Sequence, residues 1–308
     1  MSKTQRMREL VTGNELCISP GIYDGYSARL AEVMGFETAS VSGAGLANAR
    51  FGKAEEIGIM SLMENVEACR HIANCVSIPI MADADTGYGN AVTVHHTVQY
   101  FEDAQIVGIN IEDQAWPKRC GHLDGKEVIP PMEMAKKIEA AGKAKRDPDF
   151  IVNARTDAIA VEGFEAGLAR AKLYAQAGAD MVYPEMVRSE DEIKRMVEEV
   201  DCPIHINMGF GIRDRATNPS IPLRRLQEIG VARVALPRLL TAAAIMGMKQ
   251  AIEVFREAHK AGEVVDRPDL LVSFDEIMTL MQFDQVQELE REFLAPEALE
   301  RKYGTGAS

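Results

Sequence analysis

The sequence predicts an α/β protein in which eight parallel strands close into a (β/α)8 barrel. Eight short apolar runs alternate with amphipathic helical stretches along the 308 residues, and this alternation is typical of parallel β/α units. Helical stretches end at glycines such as Gly35, Gly178 and Gly230, as expected of a helix C-terminus. Polar residues gather where the apolar runs end, which is the face on which barrels of this kind carry their sites.

The eight strands are predicted from short apolar runs, with a first connecting helix from Tyr23 to Met34. The runs are Leu16–Ser19, Thr38–Ser42, Pro79–Ala84, Gly108–Glu112, Phe150–Ala154, Met181–Tyr183, Pro203–Ile206 and Arg233–Leu236. The polar residues at or just after their carboxyl ends are Ser42, Asp83, Asp85, Glu112, Arg155, Glu185 and Asn207. A protein without a site would scatter such residues over both ends of its strands. Their clustering at one end therefore indicates an enzyme.

The chain beyond the eighth strand has no position left in the barrel. We predict one barrel domain over residues 1–308, with residues 240–296 as a helical extension used in oligomerisation. Its helices are predicted at Leu240–His259 and Phe274–Phe293, and Lys302–Ser308 is predicted to be disordered. The second helix carries an apolar stripe of Phe274, Ile277, Met278, Met281, Phe283, Val286 and Leu289. That stripe is expected to cover a partner subunit or the outer wall of the barrel.

The composition excludes several classes of protein. Asp and Glu number 47 against 34 Lys and Arg, a net charge of -13, which argues against nucleic acid as a partner because phosphate binding needs basic surface. No apolar run reaches membrane-spanning length, and no apolar signal core follows the N-terminus. The cysteines are Cys17, Cys69, Cys75, Cys120 and Cys202. Their odd number and scattered spacing disfavour disulfides or a zinc site and favour a reducing cytoplasm.

Two neighbouring predicted strands end in carboxylates. Side chains alternate along a strand, so Asp83 and Asp85 face the same side, and Glu112 at the next strand end can meet them. Three oxygen donors from two strand ends suit a hard divalent cation, Mg²⁺ or alternatively Mn²⁺. The competing interpretation is that the paired acids only cap the following helix.

The loop after the fourth predicted strand carries a cysteine among basic residues. Lys118 and His122 lie close to Cys120 in the sequence Lys-Arg-Cys-Gly-His, and positive neighbours lower the pKa of a thiol. Gly121 and Gly125 would let this loop close over a ligand and exclude water. We take Lys118, Cys120 and His122 as candidate catalytic residues. The alternative is that Cys120 is an inert small hydrophobic residue.

Arg155 completes the candidate catalytic set. A guanidinium at a strand end can hold a substrate carboxylate through two parallel hydrogen bonds. The alternative is an ion pair with Asp157 or Glu185. The candidate substrate-binding groups are Arg155, the backbone N–H groups of Ser42, Gly43 and Ala44, the side chains of Glu185 and Asn207, and Gly121 and His122 of the loop.

These motifs together resemble the isocitrate lyase/phosphoenolpyruvate mutase superfamily. The similarity spans residues 10–290. The motifs that carry it are Ser42-Gly-Ala-Gly45, Asp83-Ala-Asp-Thr-Gly-Tyr-Gly89, Ile111-Glu-Asp-Gln114, Lys118-Arg-Cys-Gly-His122, Asn153-Ala-Arg-Thr-Asp157 and Tyr183-Pro-Glu185. The Lys-Arg-Cys-Gly-His loop marks the carbon–carbon lyase branch of that superfamily rather than its phosphonate mutases.

The resemblance implies more than the residues alone. It implies a barrel whose C-terminal helices are exchanged between subunits, a homotetramer built from dimers, and dependence on Mg²⁺. It implies cleavage of a branched 2-hydroxy di- or tricarboxylate, of the 2-methylisocitrate or 2,3-dimethylmalate type, into a 2-keto acid and a second carboxylate. In this superfamily the cysteine of such a loop is the acid that protonates the departing carbanion, which implies that role for Cys120.

Two departures from the superfamily pattern bear on the substrate. Where the superfamily usually places Asp near the metal, this chain has Ala54-Glu-Glu-Ile-Gly58, so Glu56 is the candidate outer-shell residue. Leu123 follows Cys-Gly-His, where methylisocitrate lyases usually have Arg. Trp116-Pro-Lys-Arg-Cys-Gly-His122 instead resembles the petal death protein and dimethylmalate lyase group. The substrate is therefore expected to lack one carboxylate that methylisocitrate carries.

Two other functions compete with the lyase. An oxaloacetate hydrolase or decarboxylase, or a phosphonopyruvate-processing enzyme, would share the fold but would need no thiol acid at Cys120. A catalytically silent barrel that serves as an assembly scaffold would need none of the strand-end residues.

Overall fold

Eight parallel strands form the centre of the protein. The computed structural model describes residues 1–121, 123–208 and 220–304, and only the backbone of residue 56. The strands are β1 (Cys17–Ile22), β2 (Ala39–Val41), β3 (Ile80–Asp83), β4 (Gly108–Glu112), β5 (Ile151–Thr156), β6 (Met181–Pro184), β7 (His205–Asn207) and β8 (Arg233–Leu236). They pair in the order β6-β5-β4-β3-β2-β1-β8-β7, and a parallel bridge between Val182 and Ile204 joins β6 to β7. The predicted (β/α)8 barrel is confirmed.

Helices precede, connect and follow the strands along the chain. They are α1 (Lys3–Thr12), α2 (Gly25–Val33), α3 (Gly43–Phe51), α4 (Leu62–Asn74), α5 (Ala91–Asp103), α6 (Pro131–Ala144), α7 (Ala158–Glu162), α8 (Phe164–Gln176), α9 (Glu190–Glu199), α10 (Leu223–Ile229), α11 (Leu239–Ala261), α12 (Phe274–Leu280), α13 (Phe283–Phe293) and α14 (Pro296–Tyr303), with a 3₁₀ turn at Glu55–Ile57. A helix leaves its first N–H groups unsatisfied, so a side-chain oxygen often begins it. Ser42 Oγ accepts from Gly45 N at 3.2 Å and begins α3 directly at the end of β2.

The first helix closes the amino end of the barrel. Met7 and Val11 of α1 are fully buried and pack in one apolar cluster with Cys17, Met81, Val107, Ile151 and Met181, which lie at or just before the starts of strands. Burial of several apolar side chains here is worth about 1.5–3 kcal/mol each. With this end filled, the cavity described below lies at the carboxyl ends.

The chain divides into two compact units, Met1–Ala243 and Ala244–Ser308, and the second contains the C-terminal helices. The segment predicted as one helix is two, α12 and α13, because Gln282 between them adopts a left-handed conformation at φ 58°. Lys302 and Tyr303, predicted to be disordered, end α14. The exchange of these helices between subunits remains a prediction. In the described part of the chain, no helix is both long and apolar enough to span a membrane.

Candidate active site

A cavity of about 60 Å³ lies at the carboxyl ends of the strands, several times the roughly 10–15 Å³ that one water molecule needs. It is lined by Gly21, Ser40, Val41, Ser42, Ala44, Glu55, Asp83, Asn110, Lys118, Cys120, Gly121, Arg155, Tyr183, Glu185, Asn207, Ala235, Pro237 and Arg238. Residues at or near the carboxyl ends of all eight strands therefore meet around one cavity, with room for a small organic molecule.

Asp83 is held in place through both of its carboxylate oxygens. Oδ1 accepts a hydrogen bond from Asn110 Nδ2 at 2.6 Å, and Oδ2 accepts one from Gly43 N at 2.9 Å. Each oxygen keeps a second lone pair, so both hydrogen bonds are compatible with a metal ligand. The pairing of β3 with β4, which sets Asp83 opposite Asn110, is what brings the two side chains together.

Lys118 lies among the other carboxylates of the site. Its Nζ is 2.6 Å from Glu55 Oε2 and 3.1 Å from Asp85 Oδ1. Burial opposes its charge, but the attraction of Asp85, Glu112 and Glu55 outweighs burial and holds the pKa of Lys118 well above its usual value. The lysine is therefore a fixed cation at the centre of an acidic cluster.

The acidic cluster fits a hard divalent cation. Glu112 Oε1 is buried and has no hydrogen-bond partner among the described residues, and burial raises the pKa of Glu112 to about 8. Oxygens of Asp83 and Asp85 each lie 3.5 Å from the point that a Cβ on Gly43 would occupy. A side chain at residue 43 would therefore contact both carboxylates, whose oxygens are the donors that a hard divalent cation prefers.

The carboxylates of this cluster lie farther apart than the ligands of a formed metal site. Over residues 1–121, 123–208 and 220–304, no three His, Cys, Asp or Glu side chains are grouped closely enough to hold an ion as they stand. The ammonium of Lys118 instead balances the charge of Asp85.

Arg155 forms ion pairs with buried carboxylates of the protein. Its Nε and Nη2 donate to the two carboxylate oxygens of Asp157 at 2.8 and 3.0 Å, and its Nε lies 3.3 Å from Glu112 Oε2. The planar face of the guanidinium stacks 5.1 Å from the centre of the Tyr183 ring. The structure shows the ion pair of the alternative interpretation, and the contact of Arg155 with a substrate carboxylate stays a prediction. Asp157 is fully buried and needs this cation.

Tyr183, Glu185 and Asn207 form a second polar group on the cavity wall. The Tyr183 hydroxyl donates to Glu185 Oε2 and accepts from Asn207 Nδ2. Glu185 Oε1 is buried without a hydrogen-bond partner among the described residues. A ligand hydroxyl or a protonated carboxyl group would satisfy that oxygen. The structure therefore places both predicted residues, Glu185 and Asn207, on the cavity.

The cysteine loop is fixed at its base. Gln114 Nε2 donates to Arg119 O at 2.8 Å, and Arg119 N donates to Gln114 Oε1 at 2.8 Å. Lys126 Nζ donates to the carbonyl of Gly121. A Cβ on Gly121 would lie 2.7 Å from the Glu185 side chain and 2.8 Å from Arg155 Nη2. The loop is therefore packed down on the site, and glycine is required at the contact.

Cys120 lines the cavity, with its Sγ 3.7 Å from Nη2 of Arg238. A guanidinium beside a thiol favours the thiolate form. His122 lies outside the described residues, and so do the side chain of Glu56 and the loop of residues 209–219. The residue next to Glu56, Glu55, is the one whose side chain the structure brings into the site.

The first turn of α3 offers fewer backbone donors than the sequence predicted. Ser42 N donates to Ile22 O at 2.9 Å, and Gly43 N donates to Asp83. Of the three predicted N–H groups, Ala44 N is the one left for a ligand in the described structure. The other two hold the carboxyl end of β2 against its neighbouring strands.

A chain of polar side chains runs beneath the site through the barrel interior. Asn153 Nδ2 donates to Asn110 Oδ1 at 2.6 Å and lies 2.9 Å from His205 Nδ1. Arg233 Nη1 lies 3.1 Å from both nitrogens of the His205 ring. Because Asn110 in turn donates to Asp83, this buried chain orients the carboxylate that faces the cavity.

Comparison with known proteins identifies the family. The family model described as phosphoenolpyruvate phosphomutase matches residues 7–256. The chain belongs to this family. The resemblance seen in the motifs is thereby confirmed.

Two curated relatives of the phosphoenolpyruvate mutase family are carbon–carbon lyases. A 2-methylisocitrate lyase of Aeropyrum pernix is 37% identical over 93% of this chain and 89% of its own. A 2,3-dimethylmalate lyase of Eubacterium barkeri is 31% identical over 95% of this chain and 99% of its own. The enzyme class that the sequence predicted is the class of these relatives.

Two solved structures of the family are similar along nearly the whole chain. Oxaloacetate acetylhydrolase with the inhibitor 3,3-difluorooxalacetate superposes with a TM-score of 0.85 at 28% identity, covering 94% of this chain and 97% of that one. Phosphonopyruvate hydrolase in a complex with oxalate and Mg²⁺ superposes with a TM-score of 0.82 at 29% identity, covering 96% and 100%. The family therefore spans several reactions on one barrel.

The cavity lining includes residues that were not among the predicted site residues, and Glu55, Tyr183 and Arg238 are three of them. Glu55 was passed over for its neighbour, and nothing in the sequence distinguishes two consecutive glutamates. Tyr183 belonged to a quoted motif, and its phenol ends a strand beside Glu185, which was a usable signal. Arg238 lies two residues after the eighth strand, as Asp85 does after the third, and the same rule applied to β8 would have found it.

Proposed function

We propose that this protein is a Mg²⁺-dependent carbon–carbon lyase that cleaves a branched 2-hydroxy dicarboxylate into a 2-keto acid and a second carboxylate. The observation that carries the proposal is that Cys120 lines the same cavity as Asp83, Glu55 and Lys118. A departing carbanion needs an acid that donates a proton to it, and a thiol can be that acid. Hydrolysis needs no such thiol. The relatives named 2-methylisocitrate lyase and 2,3-dimethylmalate lyase support the reaction type.

The reaction breaks the bond between C2, which carries the hydroxyl, and C3. The hydroxyl proton passes to a carboxylate of the acidic cluster, and the hydroxyl oxygen becomes the keto oxygen. The electron pair of the C2–C3 bond moves to C3 and into the carboxylate attached to it. C3 then takes the thiol proton of Cys120, and the second carboxylate departs.

The metal would be held by Asp83, Asp85 and Glu112. When bound, Mg²⁺ would supply positive charge to the oxygens of the 2-hydroxy acid end. Lys118 holds Asp85 and Glu55 in position and keeps the acidic cluster from repelling an anionic substrate. The Mg²⁺ complex of a similar phosphonopyruvate hydrolase supports the choice of ion, and Mn²⁺ has the same preference for oxygen ligands.

The remaining residues bind the substrate and exclude water. Gly121 packs the loop onto Arg155 and Glu185, so the carbanion forms away from solvent. Arg155 holds Glu112 and Glu185 in position and does not bind the substrate through two parallel hydrogen bonds. Asn207 and Glu185, joined through the Tyr183 hydroxyl, fit the far end of the substrate.

The test is a panel of acids offered with Mg²⁺: 2,3-dimethylmalate, 2-methylisocitrate, oxaloacetate and phosphonopyruvate. The lyase predicts 2-keto acid release from one of the first two. Release of oxalate and acetate from oxaloacetate would favour the hydrolase, as in the similar oxaloacetate acetylhydrolase. Cleavage of phosphonopyruvate would favour a phosphonopyruvate-processing enzyme, as in the similar phosphonopyruvate hydrolase. An inert protein across the panel would favour a scaffold.

We further propose a homotetramer made of two dimers, in a reducing cytoplasm. Large apolar side chains on the C-terminal helices support assembly, because Phe274 and Phe293 are more than two-thirds exposed in the single chain, at 72% and 71%. Among the described residues the five cysteines form no disulfide, which supports the compartment.

A further inference from the structure

Arg238 follows β8 and lines the cavity beside Cys120. Its Nη2 lies 3.7 Å from Cys120 Sγ and 3.8 Å from Glu55 Oε1, and its Nη1 donates to Asn48 Oδ1 at 3.4 Å. We propose that Arg238 binds the carboxylate attached to C3, the carboxylate that departs with the second product. This inference rests on the proposed lyase function and names the substrate contact that determines its specificity.

The charges around the cavity single out Arg238. Three cationic side chains of the described residues line it: Lys118, Arg155 and Arg238. Lys118 is 2.6 Å from Glu55, and Arg155 is 2.8 Å from Asp157. The carboxylate oxygen of Glu55 near Arg238 is at 3.8 Å, beyond hydrogen-bond distance. Arg238 is thus the lining cation whose guanidinium is not committed to a close carboxylate in the described structure.

The chemistry places the C3 carboxylate beside the thiol. Cys120 delivers its proton to C3, and the carboxylate is bonded to that same carbon. A group that binds the carboxylate must therefore lie within a few ångströms of Sγ, as Arg238 does. Negative charge grows on this carboxylate while the C2–C3 bond breaks. A planar guanidinium there would stabilise the transition state more than the bound substrate.

A single cation with no carboxylate of the described residues within hydrogen-bond distance matches a departing product that has a single carboxylate. Cleavage of 2,3-dimethylmalate releases pyruvate and propionate, whose single carboxylate Arg238 can neutralise. Cleavage of 2-methylisocitrate releases succinate, whose second carboxylate would need another cation. Among the described lining residues, Lys118 and Arg155 are already paired. The geometry therefore favours a substrate of the 2,3-dimethylmalate type.

The experiment compares Arg238→Leu and Arg238→Lys with a matched control, Arg50→Leu. Arg50 also lies 3.8 Å from a carboxylate, that of Glu67, but does not line the cavity. For 2,3-dimethylmalate with Mg²⁺, kcat/KM should fall by about 10- to 150-fold in Arg238→Leu, the range for one hydrogen-bonding partner of a charged group. Arg238→Lys should lose less, because it keeps the charge without the planar fork. Arg50→Leu should match wild type.

Calorimetry measures binding at the sites for the two ends of the substrate separately. Oxalate with Mg²⁺, which reports the keto-acid end, should bind Arg238→Leu as tightly as wild type. Propionate added to the Mg²⁺–oxalate complex should bind wild type and fail to bind Arg238→Leu. Retention of kcat/KM within about threefold in Arg238→Leu, or loss of oxalate affinity in that variant, would overturn the proposal.

The same design distinguishes failure of the proposed function. If wild type cleaves none of the acids, the lyase function fails. Propionate binding that depends on Arg238 would in that case still uphold a carboxylate site at this residue. If wild type cleaves 2,3-dimethylmalate and Arg238→Leu keeps both turnover and propionate binding, the function stands and the role of Arg238 is wrong.

Discussion

Both polar atoms of the Gln114 side chain are hydrogen-bonded to the backbone of Arg119, the residue that precedes Cys120. Nε2 donates to Arg119 O and Oε1 accepts from Arg119 N, each at 2.8 Å. Gln114 is almost fully buried and lies two residues beyond Glu112, the end of β4. The position of the thiol is therefore set by the side chain of Gln114. Gln114 is held close to the barrel because it follows the candidate metal ligand Glu112 by two residues.

Gln114→Ala should lower turnover by about 10- to 100-fold, because small displacements of a reacting group have costs of this size. Affinity for Mg²⁺–oxalate, measured by calorimetry, should stay near that of wild type, since Gln114 does not line the cavity. Gln176→Ala, on an exposed face of α8, is the control. Wild-type turnover in Gln114→Ala would mean that the loop holds its own position.

Cys120→Ser should lower turnover by about 10²–10⁴-fold, the usual effect of removing a general acid. The hydroxyl keeps the shape of the thiol but is a far weaker acid. Calorimetry of the inactive variant should show substrate affinity close to wild type. Cys75→Ser, also half-buried but outside the cavity, is the control. Near-normal turnover in Cys120→Ser would make the hydrolase or decarboxylase the better function.

Removing the metal should abolish activity reversibly. Excess EDTA should stop keto-acid release, and added Mg²⁺ should restore it, because the positive charge that the ion supplies to the oxygens of the 2-hydroxy acid is lost with it. Asp83→Ala should lose both turnover and affinity for oxalate, in contrast to Cys120→Ser. Calorimetric titration with Mg²⁺ alone checks the loss of the ion directly. Activity that survives EDTA would count against the metal assignment.

The barrel and most of its site were predictable because both depend on short-range patterns. Strand ends are marked by the change from apolar to polar residues, as at Asp83 and Glu112. The carboxyl ends of parallel strands meet at one face, so residues far apart in sequence could be brought together without coordinates. The eight predicted strands all appear in the structure, with ends shifted by a few residues.

The unpredicted features depend on distances that no pattern contains. That Arg155 makes a two-bond contact with the buried carboxylate of Asp157 was one of the predicted alternatives, and only the geometry shows that it forms. The contact of Glu55, on the 3₁₀ turn Glu55–Ile57, with Lys118 joins positions 63 residues apart. The contact of Arg238 with Cys120 joins positions 118 residues apart.

Removing the residues after Pro268 should disrupt the oligomer. That truncation deletes α12, α13 and α14, whose apolar side chains are exposed in the single chain. Monomers or insoluble protein are expected by sedimentation velocity. Truncation after Tyr303, which keeps all of these helices, is the control and should sediment like wild type. An unchanged, active oligomer after the longer truncation would show that assembly uses another surface.

The last prediction concerns His205, inside the barrel. Its ring is buried, and burial first, then the positive charges of Arg233 and Arg155, hold its pKa well below the usual value. In the unfolded chain the imidazole titrates at about pH 6.5. As the pH falls below that value, the unfolded state takes up a proton that the folded state does not, so stability is lost. Above that pH the two states bind equal numbers of protons at this group, and its contribution to stability is constant.

The measurement is the free energy of unfolding by urea at several pH values between 7 and 5. Wild type should lose up to about 1.4 kcal/mol per pH unit through this group. His205→Asn cannot be protonated and can still meet Asn153, so its curve should be flatter by that amount, although it starts from a lower stability. His71→Asn removes an exposed imidazole and should keep the wild-type slope. Equal slopes for wild type and His205→Asn would mean that His205 binds a proton within the folded barrel despite its arginine neighbours.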